Sequence, residues 1–311
     1  MKKAIYFFCT DLTKDPAAAH VYEAVKALAP LAETGLTFDG KPVLGCTDAA
    51  GNAFAFAETT DVLSHRWAEY LPELNASFRD CDFAGVVNWH EGANAPDCVL
   101  TVHSIGDVPS GVYAPTDPVL YRNMLNALRD AAAACGLDGW TACTEATHWS
   151  GVVYGQDPAR IPDYPVPQYD IEIGSSPACW ADPAAARALA TALFHVFDSK
   201  ARPKVLLAAG GVHFESAFSA CGLFPDYPVM CAHILPNQWL VSGDYTGEGG
   251  AAKLQNAIES IAGGIDGISF HDNLAGPYKA VCRAAAEQLG VPSFKHKVLR
   301  DVNRTRDTLG H

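Results

Sequence analysis

Six histidines follow short apolar runs that have the composition of β-strands. The runs, each written up to its histidine, are VVNWH, VLTVH, TEATH, LLAAGGVH, VMCAH and GISFH. The histidines are, in the same order, His90, His103, His148, His213, His233 and His271. In an open α/β sheet, ligands bind beyond the carboxyl ends of the strands. We therefore expect these imidazoles to converge on one crevice, although His271 is better interpreted as an isolated histidine.

Two carboxylates accompany the histidines. Glu145 stands three residues before His148, and Glu172 lies within the apolar run YDIEIGSS. Burying a carboxylate is costly unless it is paired or binds a metal, and imidazole with carboxylate is the usual donor set of a catalytic zinc. Bound zinc lowers the pKa of water to about 7. A helix cap or an arginine partner would also account for Glu172.

Other candidate motifs give weaker indications. The pairs Gly210-Gly211 and Gly174-Ser175 each follow a strand-like run, where backbone N–H groups could hold an anion. The sequence contains no G-x-S-x-G elbow and no G-x-G-x-x-G after a strand, which argues against a serine hydrolase of that type and a dinucleotide site. Cys143 and Cys231 lie near histidines but occupy interior strand positions, which favours a structural role.

The elements that must position these groups alternate along the chain. Strands are predicted over 3–9, 83–89, 98–103, 140–146, 169–173, 205–209, 229–235 and 267–270. Helices are predicted over 16–29, 61–75, 118–135, 183–197, 249–262 and 276–289. This alternation predicts one α/β domain over 1–311, with a largely parallel or mixed sheet and helices on both faces. Turn signals add a hairpin subdomain near 36–58, and prolines add a loop or lid near 150–168.

Charge and composition restrict the class of protein. The 311 residues carry 22 Lys and Arg against 35 Asp and Glu, a net charge of −13, which is the opposite of what a nucleic-acid binder needs. No apolar run approaches the roughly 20 residues of a membrane span. The ten cysteines form no C-x-x-C pair. These features predict a cytoplasmic protein without membrane partners.

Five motifs occur in an order that resembles a known family. They are TVHSIGD at 101–107, EATHWSG at 145–151, EIGSSPACW at 172–180, GGVHF at 210–214 and AHILP at 232–236. The chain thereby resembles the D-aminoacyl-tRNA deacylases of the archaeal and plant type over about residues 83–236. The resemblance implies a phosphorylase/hydrolase-like fold and zinc-dependent hydrolysis of the ester between a D-amino acid and tRNA. The functional residues that the resemblance implies for this chain are His103, Glu145, His148, Glu172 and His213.

The leading hypothesis is therefore a zinc-dependent hydrolase whose partner is tRNA carrying a D-amino acid. Its predicted zinc ligands are His90, Glu145, His148 and His213. Glu172 is predicted to be the catalytic base or to orient a ligand, and His103 to act at the reacting centre. The predicted substrate-binding residues are Ser175, Gly210, Gly211 and His233.

Two other hypotheses stay open. The family reads THHGP where this chain has residues 147–151 as THWSG, and GGGHYAPR where this chain has GGVHFESA. Together with the acidic charge, these differences motivate a metallohydrolase of the same fold that acts on a small amide or ester. The third hypothesis is a non-catalytic relative that binds a metabolite.

Overall fold

The computed structural model describes residues 1–92 and 95–310. Their contacts divide the chain into two compact units, and each is described by itself. The first unit comprises residues 1–102, 123–143 and 150–199, and the second comprises 103–122, 144–149 and 200–310. The prediction of a single domain over 1–311 stays a prediction.

Strands and helices alternate over most of the described chain. The strands are β1 (Lys3–Cys9), β2 (Ala32–Phe38), β3 (Lys41–Thr47), β4 (Ala53–Thr59), β5 (Phe83–Trp89), β6 (Val99–Ser104), β7 (Gly106–Asp107), β8 (Val112–Tyr113), β9 (Thr141–Thr144), β10 (Gln168–Gly174), β11 (Lys204–Ala209), β12 (Val229–Leu235), β13 (Gly267–Phe270) and β14 (Ser293–Lys295). The helices are α1 (Ala18–Leu28), α2 (Trp67–Ser77), α3 (Pro118–Ala134), α4 (Pro177–Trp180), α5 (Pro183–Ala192), α6 (Ser216–Ala220), α7 (Asn237–Ser242), α8 (Gly250–Glu259), α9 (Gly276–Leu289) and α10 (Val302–Leu309).

The first unit is built on a mixed sheet. Its strand order is β2-β3-β4-β1-β5-β10-β6-β9. β1 runs parallel to both β4 and β5, and β10 runs parallel to β5, whereas β2, β3 and β4 form an antiparallel meander. The apolar run of β1 buries its aromatic rings, and Phe7 lies 5.0 Å from Phe38 while Phe8 lies 5.1 Å from Tyr22. Burial of such rings is a large source of stability.

The second unit has a sheet of its own, which is parallel throughout. Its order is β12-β11-β13-β14, with all three pairs parallel. Buried side chains such as Leu207, Leu235 and Ile268 form an apolar cluster with α8 and α9 residues. β12 continues to Leu235, so it carries His233 inside the sheet rather than at its end.

The two Asp-Pro signals in the sequence lie where helices begin. Asp182 accepts hydrogen bonds from the N–H groups of Ala184 and Ala185 at the start of α5, with Pro183 in the first helical position. Asp15 accepts from the N–H groups of Ala17 and Ala18, and α1 begins just there. Polar side chains that satisfy the first helical N–H groups fix where a helix starts.

The predicted α/β fold with a mixed sheet is confirmed. Segment 36–58, predicted as a hairpin subdomain, contributes β2, β3 and β4 to the first unit's sheet. Segment 150–168, predicted as a loop or lid, contains two short 3-10 helices, at 150–154 and 158–163. Among the described residues, no helix has both the length and the apolar character needed to span a bilayer.

Candidate active site

Three histidines of the second unit lie together and form what we call the imidazole cluster, His103, His148 and His213. The rings of His103 and His148 are stacked with their centroids 3.8 Å apart. His148 in turn lies 4.9 Å from His213. The cluster is brought together from three separate segments of sequence, as the strand-end pattern predicts for these three residues.

Backbone carbonyl groups fix the protonation of two of these rings. Nδ1 of His103 lies 3.2 Å from the carbonyl oxygen of Ser104, and Nδ1 of His148 lies 2.9 Å from that of Ala146. A carbonyl oxygen only accepts, so each Nδ1 must donate. In a neutral imidazole, Nε2 then keeps its lone pair, which is the protonation state of a histidine metal ligand.

Burial keeps His103 neutral. The ring is fully buried, and this burial, with the neighbouring His148, lowers the pKa of His103 well below its usual value. Glu145 opposes the shift, but to a smaller degree. His103 is therefore a lone-pair donor at neutral pH.

Glu145 supplies the negative charge of the cluster. Its carboxylate is fully buried, and its Oε2 lies 2.7 Å from Nε2 of His213, which is partly exposed. A buried carboxylate is costly unless a partner compensates it. The pair thus holds an acidic group in place beside three imidazoles.

The segment from Thr144 to Trp149 is tied on both sides by backbone hydrogen bonds. Ala146 donates to the carbonyl of His213, and Thr147 donates to that of Ile234. The carbonyl of His148 accepts from Gly106, next to the end of β6. These bonds place Glu145 and His148 on a rigid stretch of chain, which favours precise geometry.

His233 has a different setting. Its Nδ1 lies 2.9 Å from Oγ of Ser104 and 3.2 Å from Oγ1 of Thr147, and its Nε2 lies 2.9 Å from Oγ of Ser260. The side chain is fully buried, and this burial lowers its pKa to about 3. The sequence predicts that this ring contacts substrate. In the structure it is enclosed by hydroxyl groups, two of which belong to Ser104 and Thr147, the sequence neighbours of His103 and His148.

The two glycines after β11 form a tight, left-handed turn. Gly210 has φ +86° and Gly211 has φ +79°. The N–H of Gly210 donates to the carbonyl of Leu235, so it is already used where an anion was predicted to bind. A Cβ on Gly211 would lie 3.1 Å from Oε2 of Glu215. The glycines thus allow a sharp turn before His213.

In the first unit, His90 and Ser175 lie in contact. Oγ of Ser175 donates its proton to the carbonyl of Pro96 at 3.0 Å. Nδ1 of His90 lies 3.0 Å from this Oγ and must therefore donate to it. The Nε2 of His90 then keeps its lone pair, as in His103 and His148. A Cβ on Gly174 would lie 2.7 Å from Cβ of His90, so only glycine permits this packing.

Glu172 lies in the centre of the first unit's sheet. It is buried on β10, directly opposite Asn88 of β5. Asp170, two residues earlier and therefore on the same face, is buried as well. The sequence analysis predicts Glu172 but misses Asp170, which the same signal of an acidic residue inside the apolar run YDIEIG would have identified.

Comparison with known proteins decides the family. Residues 77–294 match the sequence profile described as D-aminoacyl-tRNA deacylase. The chain belongs to the D-aminoacyl-tRNA deacylase family. The predictions of this family and of a hydrolase are thereby confirmed.

Relatives of this deacylase family member span most of the chain. A D-aminoacyl-tRNA deacylase of Thermococcus kodakarensis is 27% identical over 269 residues, covering 83% of this chain and 88% of the relative. A D-aminoacyl-tRNA deacylase of Pyrococcus abyssi is 27% identical over 209 residues, covering 66% and 70%. A crystal structure of a conserved protein of unknown function is 19% identical and covers 96% of both chains with a TM-score of 0.73, which supports the fold.

The second unit of this family member contains another histidine pair that the sequence analysis missed, His271 and His296. Their ring centroids lie 4.0 Å apart, and Nε2 of His271 lies 3.3 Å from Oε2 of Glu215. His271 is therefore not isolated. His296 follows no strand-like apolar run of the kind used to select the other histidines, and only the parallel pairing of β13 with β14 brings it near His271.

Proposed function

We propose that this chain hydrolyses the ester bond between a D-amino acid and tRNA, with zinc as its cofactor. Membership of the D-aminoacyl-tRNA deacylase family supports the reaction. The names of the archaeal relatives support the substrate. The observation that carries zinc binding is the donation of Nδ1 of His103 and His148 to backbone carbonyls.

The donor types of the second unit suit a zinc ion. Nε2 of His103 and Nε2 of His148 provide lone pairs, and Glu145 provides a carboxylate that a hydrogen bond from His213 keeps in place. This is the mixed nitrogen and oxygen set that zinc accepts, with its outer partners present. When bound, zinc supplies Lewis acidity and a lower pKa for water.

The protein groups have separate tasks in this proposal. Nε2 of His213 lies 2.7 Å from Oε2 of Glu145 and so holds the carboxylate in place. His233 is a positioning residue, since it anchors Ser104 and Thr147 beside the two ligand histidines. In the first unit, Glu172 is the proposed proton acceptor, and His90 donates to Ser175 to hold that side chain.

The test is a deacylation assay with matched D- and L-tyrosyl-tRNA. We expect release of D-tyrosine, loss of activity after removal of metal with a chelator, and recovery when zinc is added back. Elemental analysis of protein purified without chelator should find zinc. Full activity in metal-free protein would contradict the zinc role, and equal release of both enantiomers would contradict D-specificity.

One observation favours hydrolysis of a small amide or ester instead. The net charge is −13, and some of the basic residues of the second unit are paired with acidic ones. Arg202 lies 2.9 Å from Asp266, and Lys297 lies 2.6 Å from Asp272. If tRNA is the substrate, log affinity must fall linearly with log salt concentration. Absence of tRNA binding even at low salt would favour the small substrate.

A further inference from the structure

Two cysteines of the first unit lie side by side. Cys98 immediately precedes β6, and Cys179 lies in α4. Their Sγ atoms are 2.6 Å apart, and both are free thiols. A disulfide bond is about 2.05 Å long, so only a small approach of the two sulfur atoms would join them.

The two thiols differ in their surroundings. Cys179 is buried, and its Sγ donates to the carbonyl of Asp97 at 3.1 Å, while Oγ of Ser176 donates to the same sulfur at 3.3 Å. Cys98 is only half-buried, which leaves it accessible to a small oxidant. Partial burial and the adjacent Cys179 raise the pKa of Cys98 to about 11.

A second close pair provides a comparison within the same chain. The Sγ atoms of Cys221 and Cys231 lie 3.7 Å apart, but both residues are fully buried. Oxidation requires access to a thiol that can form the thiolate, as well as proximity of the two sulfur atoms. Only the pair in the first unit has both.

We propose that Cys98 and Cys179 form a reversible disulfide when the protein meets a peroxide. The thiolate of Cys98 attacks one oxygen of hydrogen peroxide, the O–O bond breaks, and the second oxygen leaves as water after taking a proton. The thiolate of Cys179 then attacks the sulfur of the sulfenic acid, and a second water leaves. Two thiols and one peroxide thus give one disulfide and two waters, and a dithiol reverses the reaction.

The bond would act on residues that the proposed function uses. The carbonyl of Asp97, which accepts from Cys179, also accepts from the N–H of Ser175 at 2.8 Å. Nε1 of Trp180, the last residue of α4, donates to the carbonyl of His90 at 3.0 Å. Joining Cys98 to Cys179 removes the thiol donor from Asp97 and ties α4 to that segment. The disulfide therefore shifts the surroundings of Ser175 and His90.

The decisive experiment is peptide mapping of the full-length protein. Protein treated with hydrogen peroxide is alkylated, digested without reductant and examined by mass spectrometry. We expect one linked peptide pair, Cys98 with Cys179, lighter by two hydrogen atoms than the separate peptides and formed faster as pH rises. Cys98→Ser and Cys98→Ala should each abolish it, whereas Cys135→Ser, at another half-buried thiol, should leave it unchanged. Alkylation of both cysteines after oxidation, or a sulfonic acid on Cys98 alone, would overturn the proposal.

The effect on activity depends on the proposed function and is measured separately. Oxidised wild-type protein should lose deacylation activity by roughly 10-fold, less than the ~10²-fold that a 1 Å misplacement can cost, and dithiothreitol should restore it. Oxidised Cys98→Ser should show no such reversible loss. If the reduced protein deacylates nothing, the proposed function fails while the peptide map still decides the disulfide. A linked pair without any change in activity would overturn the regulatory part.

Discussion

The second unit contains two stacked histidine pairs that look alike and differ in chemistry. His103 and His148 lie 3.8 Å apart, and His271 and His296 lie 4.0 Å apart. Both pairs have a glutamate nearby. In the first pair each Nδ1 donates to a backbone carbonyl. In the second pair each Nδ1 accepts from a backbone N–H, from Asn273 to His271 and from Asp272 to His296.

This reversal changes which atom can bind a metal. When Nδ1 accepts, the proton of a neutral imidazole lies on Nε2, so Nε2 of His271, which lies 3.3 Å from Oε2 of Glu215, offers no lone pair. The guanidinium of Arg300 also lies 3.4 Å from Nε2 of His296, where its charge repels a cation. The same residue types at similar spacing therefore leave Nε2 lone pairs at His103 and His148 but place the ring proton of His271 on Nε2.

The largest expected effect separates the two pairs. His148→Ala should remove zinc and lower deacylation by more than about 100-fold, since loss of outer partners alone costs 10–100-fold. His271→Ala is the matched control, and it should keep both the zinc content and the activity within about threefold of wild type. Zinc is measured by elemental analysis and activity with D-tyrosyl-tRNA. Equal losses in the two variants would contradict the distinction.

The next effect concerns the charge beside the first pair. Glu145→Gln keeps the size of the side chain and an acceptor for His213 but removes the negative charge. We expect zinc affinity to fall by more than about 10-fold, since loss of an outer partner alone costs 10–100-fold, with much of the activity recovered at high zinc concentration. The measurement is a competition titration with a chelating dye. Unchanged affinity would show that Glu145 only orients His213.

Much of this arrangement follows from sequence, but the distinction between the pairs does not. Apolar runs ending in histidine correctly bring His103, His148 and His213 together, since strand ends of a sheet share an edge. They say nothing about which atom of the backbone faces Nδ1, because that depends on local φ and ψ at residues such as Ser104 and Asn273. The strand-end signal also selects His233, whose contact with substrate stays a prediction; its ring is surrounded by hydroxyl groups, and β12 continues past it.

The enclosed ring of His233 differs from both histidine pairs, and its protonation can be detected by measuring stability as a function of pH. Its folded pKa of about 3 lies below the unfolded value of about 6.5. Its contribution to stability is therefore present above pH 6.5 and is lost as pH falls towards 3, by about 1.4 kcal/mol per pH unit. His233→Gln should lower the free energy of unfolding near pH 7 and reduce its fall between about pH 6 and pH 4. Urea unfolding measures both, and an unchanged slope would contradict the assignment.

The smallest expected effect tests whether the backbone donors keep a metal from the second pair. Arg300→Ala removes the positive charge near His296 but leaves both backbone N–H donors on the two Nδ1 atoms. If the backbone sets the protonation, this variant should bind no more zinc than wild type, and its stability should change by less than about 1 kcal/mol, because the residue is exposed. Stoichiometry from calorimetric titration gives the answer. A second zinc ion in Arg300→Ala that disappears in the double variant with His271→Ala would show that charge, and not the backbone, keeps this pair closed.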